Sequence, residues 1–471
     1  MIVMKFGGTS LGDGEAINRA VDIVIQTLKD KGGGIVAVVS AMSGVTDTLL
    51  AAATSAAQGD AETFRRARWR LTDRHRLAIT EVLSHEESRL QLMEEIEALL
   101  SDFESLCRSI HIMGELTARG SDAVASLGER LMARILAAAL RDRGERATAV
   151  EATEAIVTNG KHGAAVPLID ETREAAQARL MPLLAQGVTP VVTGFIAATK
   201  DGVTTTLGRG GSDYTAAILG ASLDSDEVWV WTDVDGVMTA DPRVVPQART
   251  LPEISYSEAA ELSYFGAKVL HPKTILPAVE RGIPLRIVNT FNPSKPGTLI
   301  VAEAQPSEFA VKGITSIRGL SLVTVAGRGM LGVPGIAARV FTAVAQEGIS
   351  VLMISQSSSE QSICFIIRQE TVDRALRALE AAFETELARR NVDRIWAQNE
   401  VAIVAAVGAG MKGTPGIAAK VFGALGKHAV NVISIAQGSS EYNISFVVDE
   451  VDMETAVRDI HQEFGLGRSG C

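Results

Sequence analysis

The chain has 471 residues, 46% of them hydrophobic and only 4% aromatic, which accommodates roughly two to four domains of ordinary size. Its net charge of −11 argues against nucleic acid or an anionic membrane as a partner. No apolar run approaches the roughly 20 residues that span a bilayer, the N-terminus lacks a signal-peptide design, and Cys107, Cys364 and Cys471 have neither metal nor disulfide spacing, as expected in a reducing cytoplasm.

The first strand is predicted at Ile2–Phe6. It runs into Lys5-Phe6-Gly7-Gly8-Thr9-Ser10, where two glycines let backbone N–H groups approach an anion and Lys5 adds a point charge. The Walker A string G-x-x-x-x-G-K-[ST] does not occur. A helix over 14–29 and a strand over 35–40 follow. Residues 60–113 are charged and helical, with Leu92, Ile96, Leu99, Phe103 and Leu106 at helical spacing. They read as a solvated helical excursion with no part in chemistry. A helix over 126–143 and a strand over 189–193 come next.

Thr206-Leu207-Gly208-Arg209-Gly210-Gly211-Ser212-Asp213-Tyr214 leads into an apolar helix over 212–223. Ser212 or Asp213 is expected to cap it, and its free N–H groups with Arg209 form an anion site. The strand at Glu227–Thr232 ends in Trp231-Thr232-Asp233-Val234-Asp235-Gly236-Val237-Met238, with Arg243 shortly after. Its acidic spacing fails the calcium-loop pattern, so it reads as a loop on the side of a nucleotide. In Phe265-Gly266-Ala267-Lys268-Val269-Leu270-His271-Pro272, Lys268 is a charge among apolar residues and His271 a structural histidine. A strand over 284–288 closes this region. Alternating strands and helices predict a mostly parallel sheet covered by helices.

Asn292-Pro293-Ser294-Lys295-Pro296-Gly297 marks a boundary, and beyond it the sequence repeats. Gly327-Arg328-Gly329-Met330, Pro334-Gly335-Ile336 and Gln356 recur as Gly408-Ala409-Gly410-Met411, Pro415-Gly416-Ile417 and Gln437, each offset by 81 residues. A constant offset identifies a duplicated folding unit. The G-x-G-x-x-G at 408–413 lacks the acidic residue that a dinucleotide ribose needs, so it reads as a small-ligand loop.

These strings together resemble the aspartate kinases of the amino-acid-kinase fold. KFGGTS, VVSAMSGVT (38–46), SLGER (126–130), TLGRGGSDY, WTDVDGV and FGAKVLHP stand in the family's order over nearly the whole chain. The resemblance implies a three-layer α/β catalytic domain over 1–300 with a mostly parallel central sheet. Two α+β ACT domains (βαββαβ) are expected at 301–390 and 391–471, with 309–317 serving the second. By the same resemblance Lys5, Asp213 and Lys268 are catalytic, and Ser40, Thr46, Glu129, Phe195, Arg209 and Ser212 hold aspartate. ATP, with Mg²⁺, would meet Lys5, Gly7, Gly8, Thr9, Ser10, Gly210, Gly211, Thr232, Asp233, Met238, Arg243 and Lys268, with no protein-built metal site. Many relatives have Tyr where this chain has Met238; a thioether can still pack on a purine.

An aspartate side chain, of pKa about 3.9, is already ionised at neutral pH. The expected mechanism therefore needs no general base. It rests on positioning and charge neutralisation. The regulatory expectation is feedback by lysine or threonine at Met330, Gly332, Val333, Pro334, Gly335, Gln356 and Gln437, in a homodimer or dimer of dimers joined through the ACT units. The alternatives are a related acid kinase and an inactive amino-acid sensor. A fused homoserine dehydrogenase is not expected, since nothing follows the second repeat.

Overall fold

The computed structural model describes residues 1–266, 270–305, 309–357 and 361–467. The chain forms two compact units. The first comprises 1–237, 252–256 and 269–304, and the second 238–251, 257–268 and 305–471.

The strands of the first unit are β1 (Ile2–Phe6), β2 (Ile35–Val39), β3 (Ala147–Val150), β4 (Val157–Thr158), β5 (Thr189–Thr193), β6 (Ile196–Thr199), β7 (Thr204–Thr206), β8 (Glu227–Thr232), β9 (Glu253–Ser255), β10 (Leu285–Asn289) and β11 (Thr298–Val301). Eight of them form one sheet in the order β3-β5-β2-β1-β8-β10-β11-β9. The six strands from β3 to β10 are parallel, and β11 runs antiparallel to β10. Parallel strands buried on both faces need continuous apolar sequence, which Ile35–Val39 supplies with every residue buried. A small second sheet, β4-β6-β7, stands beside it.

The helices up to residue 280 are α1 (Gly14–Lys31), α2 (Val45–Ala57), α3 (Ala61–Val82), α4 (Glu86–Met113), α5 (Ala118–Ala125), α6 (Leu127–Asp142), α7 (Ile169–Ala185), α8 (Gly211–Ser222), α9 (Tyr256–Tyr264) and α10 (Pro272–Glu280), of which α9 belongs to the second unit from residue 257 on. Ile2, Met4 and Phe6 of β1 share one core with α1 to α4 and α6. The alternation of a strand sends Val3 and Lys5 to the opposite face. His271 caps α10, its ring nitrogen accepting from Lys273 N at 3.3 Å, as a structural histidine should.

The long pair α3–α4 is more than a solvated excursion. Its inner faces carry Phe64, Leu71, Ile79, Ile96 and Phe103 into the main core. Arg74 of α3 donates to Ser43 O at 2.7 Å and Gly12 O at 2.9 Å, and Glu81 accepts from Gly14 N at 3.1 Å. These bonds fix two turns at the ends of β1 and β2. Single-sequence periodicity reports the helices but cannot show that an outward arginine returns to a distant turn.

The second unit holds the repeats. Its strands are β12 (Gly313–Ala326), β13 (Met353–Gln356), β14 (Ser362–Arg368), β15 (Arg394–Val407), β16 (Ser434–Ala436) and β17 (Asn443–Asp449), in one sheet ordered β13-β14-β12-β15-β17-β16. Its further helices are α11 (Ile336–Gln346), α12 (Val372–Ala382), α13 (Glu384–Ala388), α14 (Ile417–Lys427) and α15 (Met453–Glu463). Gly313–Ile317 pairs with Ile403–Val407, while the later half of β12 pairs with the earlier half of β15. The two cores follow this exchange. Val311 and Ile314 pack with the second repeat's Phe446 and Ile460, whereas Val392 packs with the first repeat's Phe365 and Leu379.

The exchange explains the glycines of the G-x-G-x-x-G string. A Cβ at Gly408 would lie 2.2 Å from Ala310 O, and one at Gly327 would lie 2.2 Å from Asn391 O. Each glycine is the point where the incoming segment crosses the loop. The close approach that a dinucleotide would need is here taken up by the chain's own backbone.

Candidate active site

The carboxyl ends of β1, β2 and β5 open onto a cleft of about 560 Å³, where ligands of open α/β sheets commonly bind. Three helices begin at its walls. Gly44 enters α2 with φ +75°, and Thr46 and Asp47 lie in that helix's first turn. Gly210 enters α8 with φ +73°, followed by Gly211, Ser212 and Asp213. Glu129 sits in the first turn of α6. First-turn N–H groups have no intrahelical acceptor, and the helix dipole there favours an anion. The expected side-chain cap on α8 is absent: Gly210 is the cap residue, leaving Ser212 and Asp213 inside the helix with their side chains on the cleft.

The turn opposite α8 is held under strain. Phe195 adopts φ +65°, rare for an aromatic residue and a frequent mark of functional turns. Its N–H donates to Thr215 Oγ1 at 3.0 Å. A Cβ at Gly211 would stand 2.6 Å from the Phe195 ring, and one at Gly194 would stand 2.7 Å from Ser212. Both glycines let the turn close onto the helix start.

Lys5 is 9% exposed at the end of an apolar strand and pairs with Asp213 Oδ1 at 2.6 Å. Arg209 is exposed and has no acidic partner among the described residues. Glu129 is 3% exposed. Its Oε1 accepts from Ala41 N at 3.2 Å, while its Oε2 is buried without a partner among the described residues. Burial pushes its pKa up to about 8, because a lone carboxylate loses its hydration there.

The cleft thus gathers Lys5, Gly8, Ser40, Thr46, Glu129, Phe195, Arg209, Gly210, Gly211, Ser212 and Asp213. The other sequence-predicted residues are not among those lining this cleft. Gly7 donates its N–H to Trp231 O at 3.1 Å. Ser10 is fully buried, donating to Trp231 O at 3.3 Å and accepting from Thr290 Oγ1 at 2.7 Å, so its hydroxyl ties strands together. Thr9 is exposed, and Thr232 donates to the adjacent Asp233 at 3.2 Å. Met238 and Arg243 belong to the second unit, where Arg243 is paired with Asp241 at 2.6 Å. Lys268 lies outside the described residues. Sequence reasoning missed Asp122, which lines the cleft at 2% exposure, and the turn at Gly163. Asp122 sits in no Gly-rich string, and Asn159-Gly160-Lys161-His162-Gly163 reads only as an ordinary turn.

In the second unit a cavity of about 620 Å³ is lined by Met411, Thr414, Gly416, Gln437 and Glu441 among others. Gln437 was expected there. Met330, Gly332, Val333, Pro334, Gly335 and Gln356 occupy the corresponding loop, helix start and strand end of the first repeat. The 81-residue offset carries Met330 onto Met411 and Gly335 onto Gly416, a mapping the sequence already contained.

The amino acid kinase family matches residues 1–289, and the ACT domain matches 323–383 and 404–464. The chain is 38% identical to bifunctional aspartokinase/homoserine dehydrogenase 1 of Zea mays chloroplasts, over 99% of its own length and 50% of that protein's. It thus spans about half the length of the bifunctional relatives it matches. It is 34% identical to the lysine-sensitive aspartokinase 3 of Escherichia coli over 98% of both chains. The crystal structure of E. coli aspartokinase III with aspartate and ADP superposes with a TM-score of 0.80 at 32% identity, covering 99% of this chain and 100% of that one. With a parallel sheet, a cleft at its carboxyl edge and a paired ACT sheet all in place, the chain belongs to the amino acid kinase family, in its aspartokinase branch.

Proposed function

We propose that the chain transfers the γ-phosphoryl group of ATP to the side-chain carboxylate of L-aspartate, giving 4-phospho-L-aspartate. The observation that carries this reading is Glu129, whose buried Oε2 has no partner among the described residues, in a cleft that also presents Arg209, likewise without an acidic partner among them. An amino-acid acceptor supplies both complements at once. Its ammonium neutralises Glu129, and its α-carboxylate meets Arg209 in a charge-assisted pair. The remaining carboxylate is then free to face Lys5.

The chemistry follows from charge. The acceptor is an anion approaching a polyanion, so the site must hold the two together and offset their repulsion. Lys5 supplies the point charge, and the first turns of α2 and α8 supply oriented N–H groups. Asp213, paired with Lys5 at 2.6 Å, keeps the ammonium aimed into the cleft. Mg²⁺ carried in by a nucleotide is bound largely by phosphate oxygens and water with one or two carboxylates, and the cleft holds carboxylates of that kind. Asp213 is the cleft carboxylate suited to meet it, and the ion would neutralise phosphate charge.

Residues 1–300 would carry catalysis, with sensing in 301–390 and 391–471. The proposed effector is lysine or threonine. The name of the lysine-sensitive E. coli relative favours the former, and Gln437 with the start of α14 offers polar groups for either. Two chains would pair along β13 and β16, which expose Ile354 and Ile435.

The test is ADP release with a panel of acids. Aspartate should support turnover, while succinate, which lacks the ammonium, should not. Turnover with glutamate but not aspartate, or equal turnover with succinate, would contradict the assignment.

A further inference from the structure

Asp122 is a buried carboxylate on the cleft wall that none of the chemistry above uses. It enters from α5 and collects donors from the end of β7 and from the 159–166 turn. Thr206 Oγ1 donates to Oδ1 at 2.5 Å, His162 Nδ1 to Oδ2 at 2.7 Å, and Gly163 N to both oxygens at 3.1 Å. Burying a carboxylate costs several kcal/mol unless its lone pairs are filled, and these donors fill them.

Both segments matter to the site. Thr206 ends β7 immediately before the turn that carries Arg209 into α8. Gly163 belongs to the 159–166 turn and itself lines the cleft. The two turns also lean on each other. Ala165 N donates to Thr206 O at 2.9 Å, and a Cβ at Gly208, where φ is +78°, would come 3.2 Å from Gly163 O. Arg209 has no acidic partner among the described residues, so its backbone alone sets its place. An anion lining a cleft that receives an anion would raise the acceptor's energy if its charge were not already spent on the protein's own donors.

We propose that Asp122 is a positioning residue for the acceptor side of the cleft: it clamps the 159–166 turn to the Arg209 turn, and so holds the guanidinium where the acceptor's α-carboxylate binds. This deepens the aspartate-kinase reading and rests on it.

The experiment compares the full-length protein with its Asp122→Asn and Thr206→Val variants in two measurements. Steady-state kinetics should show the acceptor KM rising about tenfold in Asp122→Asn and less in Thr206→Val, with the KM for ATP within about twofold of wild type. Trypsin should cut after exposed Lys161 at least tenfold faster in Asp122→Asn, at unchanged Tm. A merely structural aspartate would lower Tm and total activity together and leave both KM values alone; that result, or unchanged cleavage at Lys161, overturns the clamp. Wild-type protein that turns over no aspartate contradicts the functional reading instead, and the clamp is then decided by the cleavage rate.

Discussion

Glu129 is the residue on which the acceptor assignment turns. Its folded pKa of about 8 lies far above the ordinary carboxyl value of 4.5, with burial as the leading cause. Between these two values the unfolded chain gives up the proton and the folded chain keeps it, so stability falls as pH rises across that window and levels off above it. Glu129→Gln keeps an oxygen for Ala41 N and cannot ionise. The variant should therefore gain Tm over wild type as pH moves from 5 to 8, by about 5 °C at pH 8. Acceptor affinity should fall about 100-fold, since an ammonium-to-carboxylate pair is lost in a buried site. A constant Tm difference across pH, measured by scanning calorimetry, would show that Glu129 is already ionised in the folded protein. Lys5 and Arg209 were legible from their Gly-rich strings, because glycine next to a cation has few structural uses. Asp122 was not, because its meaning lies in partners 40 and 84 positions away.

At the scale of elements, loops do the work and close backbone approaches decide which residues they tolerate. Gly408→Ala puts a Cβ where Ala310 O already stands, so one segment must move. The expected cost is about 3 kcal/mol, read as a lower denaturation midpoint with unchanged slope. Gly438, with only Ser440 Oγ nearby at 3.7 Å, is the control that should tolerate alanine. Equal effects at both positions would argue against the crossing. The strands of the large sheet were readable from β-branched runs, and Thr189–Thr193 and Glu227–Thr232 agree to the residue. Parallel strands buried on both faces leave little latitude in sequence. The start of α8 was misread because glycine at φ +73° replaces a side-chain cap, and propensity favours Ser and Asp for that role. The reach of Arg74 from α3 to Ser43 and Gly12 is a tertiary bond that helical periodicity does not encode.

For the whole chain, the duplication and the catalytic region follow different rules. The repeats keep an offset of 81 residues even in their crossing bonds: Lys312 N donates to Val407 O as Asp393 N does to Ala326 O. The family match over 1–289 includes 238–251 and 257–266, segments that fold with the repeats. There Glu258, fully buried, pairs with Lys312 at 2.9 Å and accepts from Ala409 N at 2.8 Å. A linear reading puts the boundary near 292–297 because proline and glycine gather there, and it has no means of seeing a non-contiguous unit. If the cavity beside Gln437 takes the effector, Gln437→Ala should weaken inhibition by lysine or threonine about tenfold and leave uninhibited turnover unchanged; undiminished inhibition would place the effector elsewhere. The central claim is that the cleft joins a carboxylate to a nucleotide's terminal phosphate, and hydroxylamine tests it most directly by trapping an acyl phosphate as a hydroxamate. With MgATP and aspartate the protein should yield aspartyl hydroxamate in step with ADP, and Lys5→Ala should yield neither above about one part in a thousand of wild type. ADP without hydroxamate, or hydroxamate undiminished in Lys5→Ala, would contradict the account.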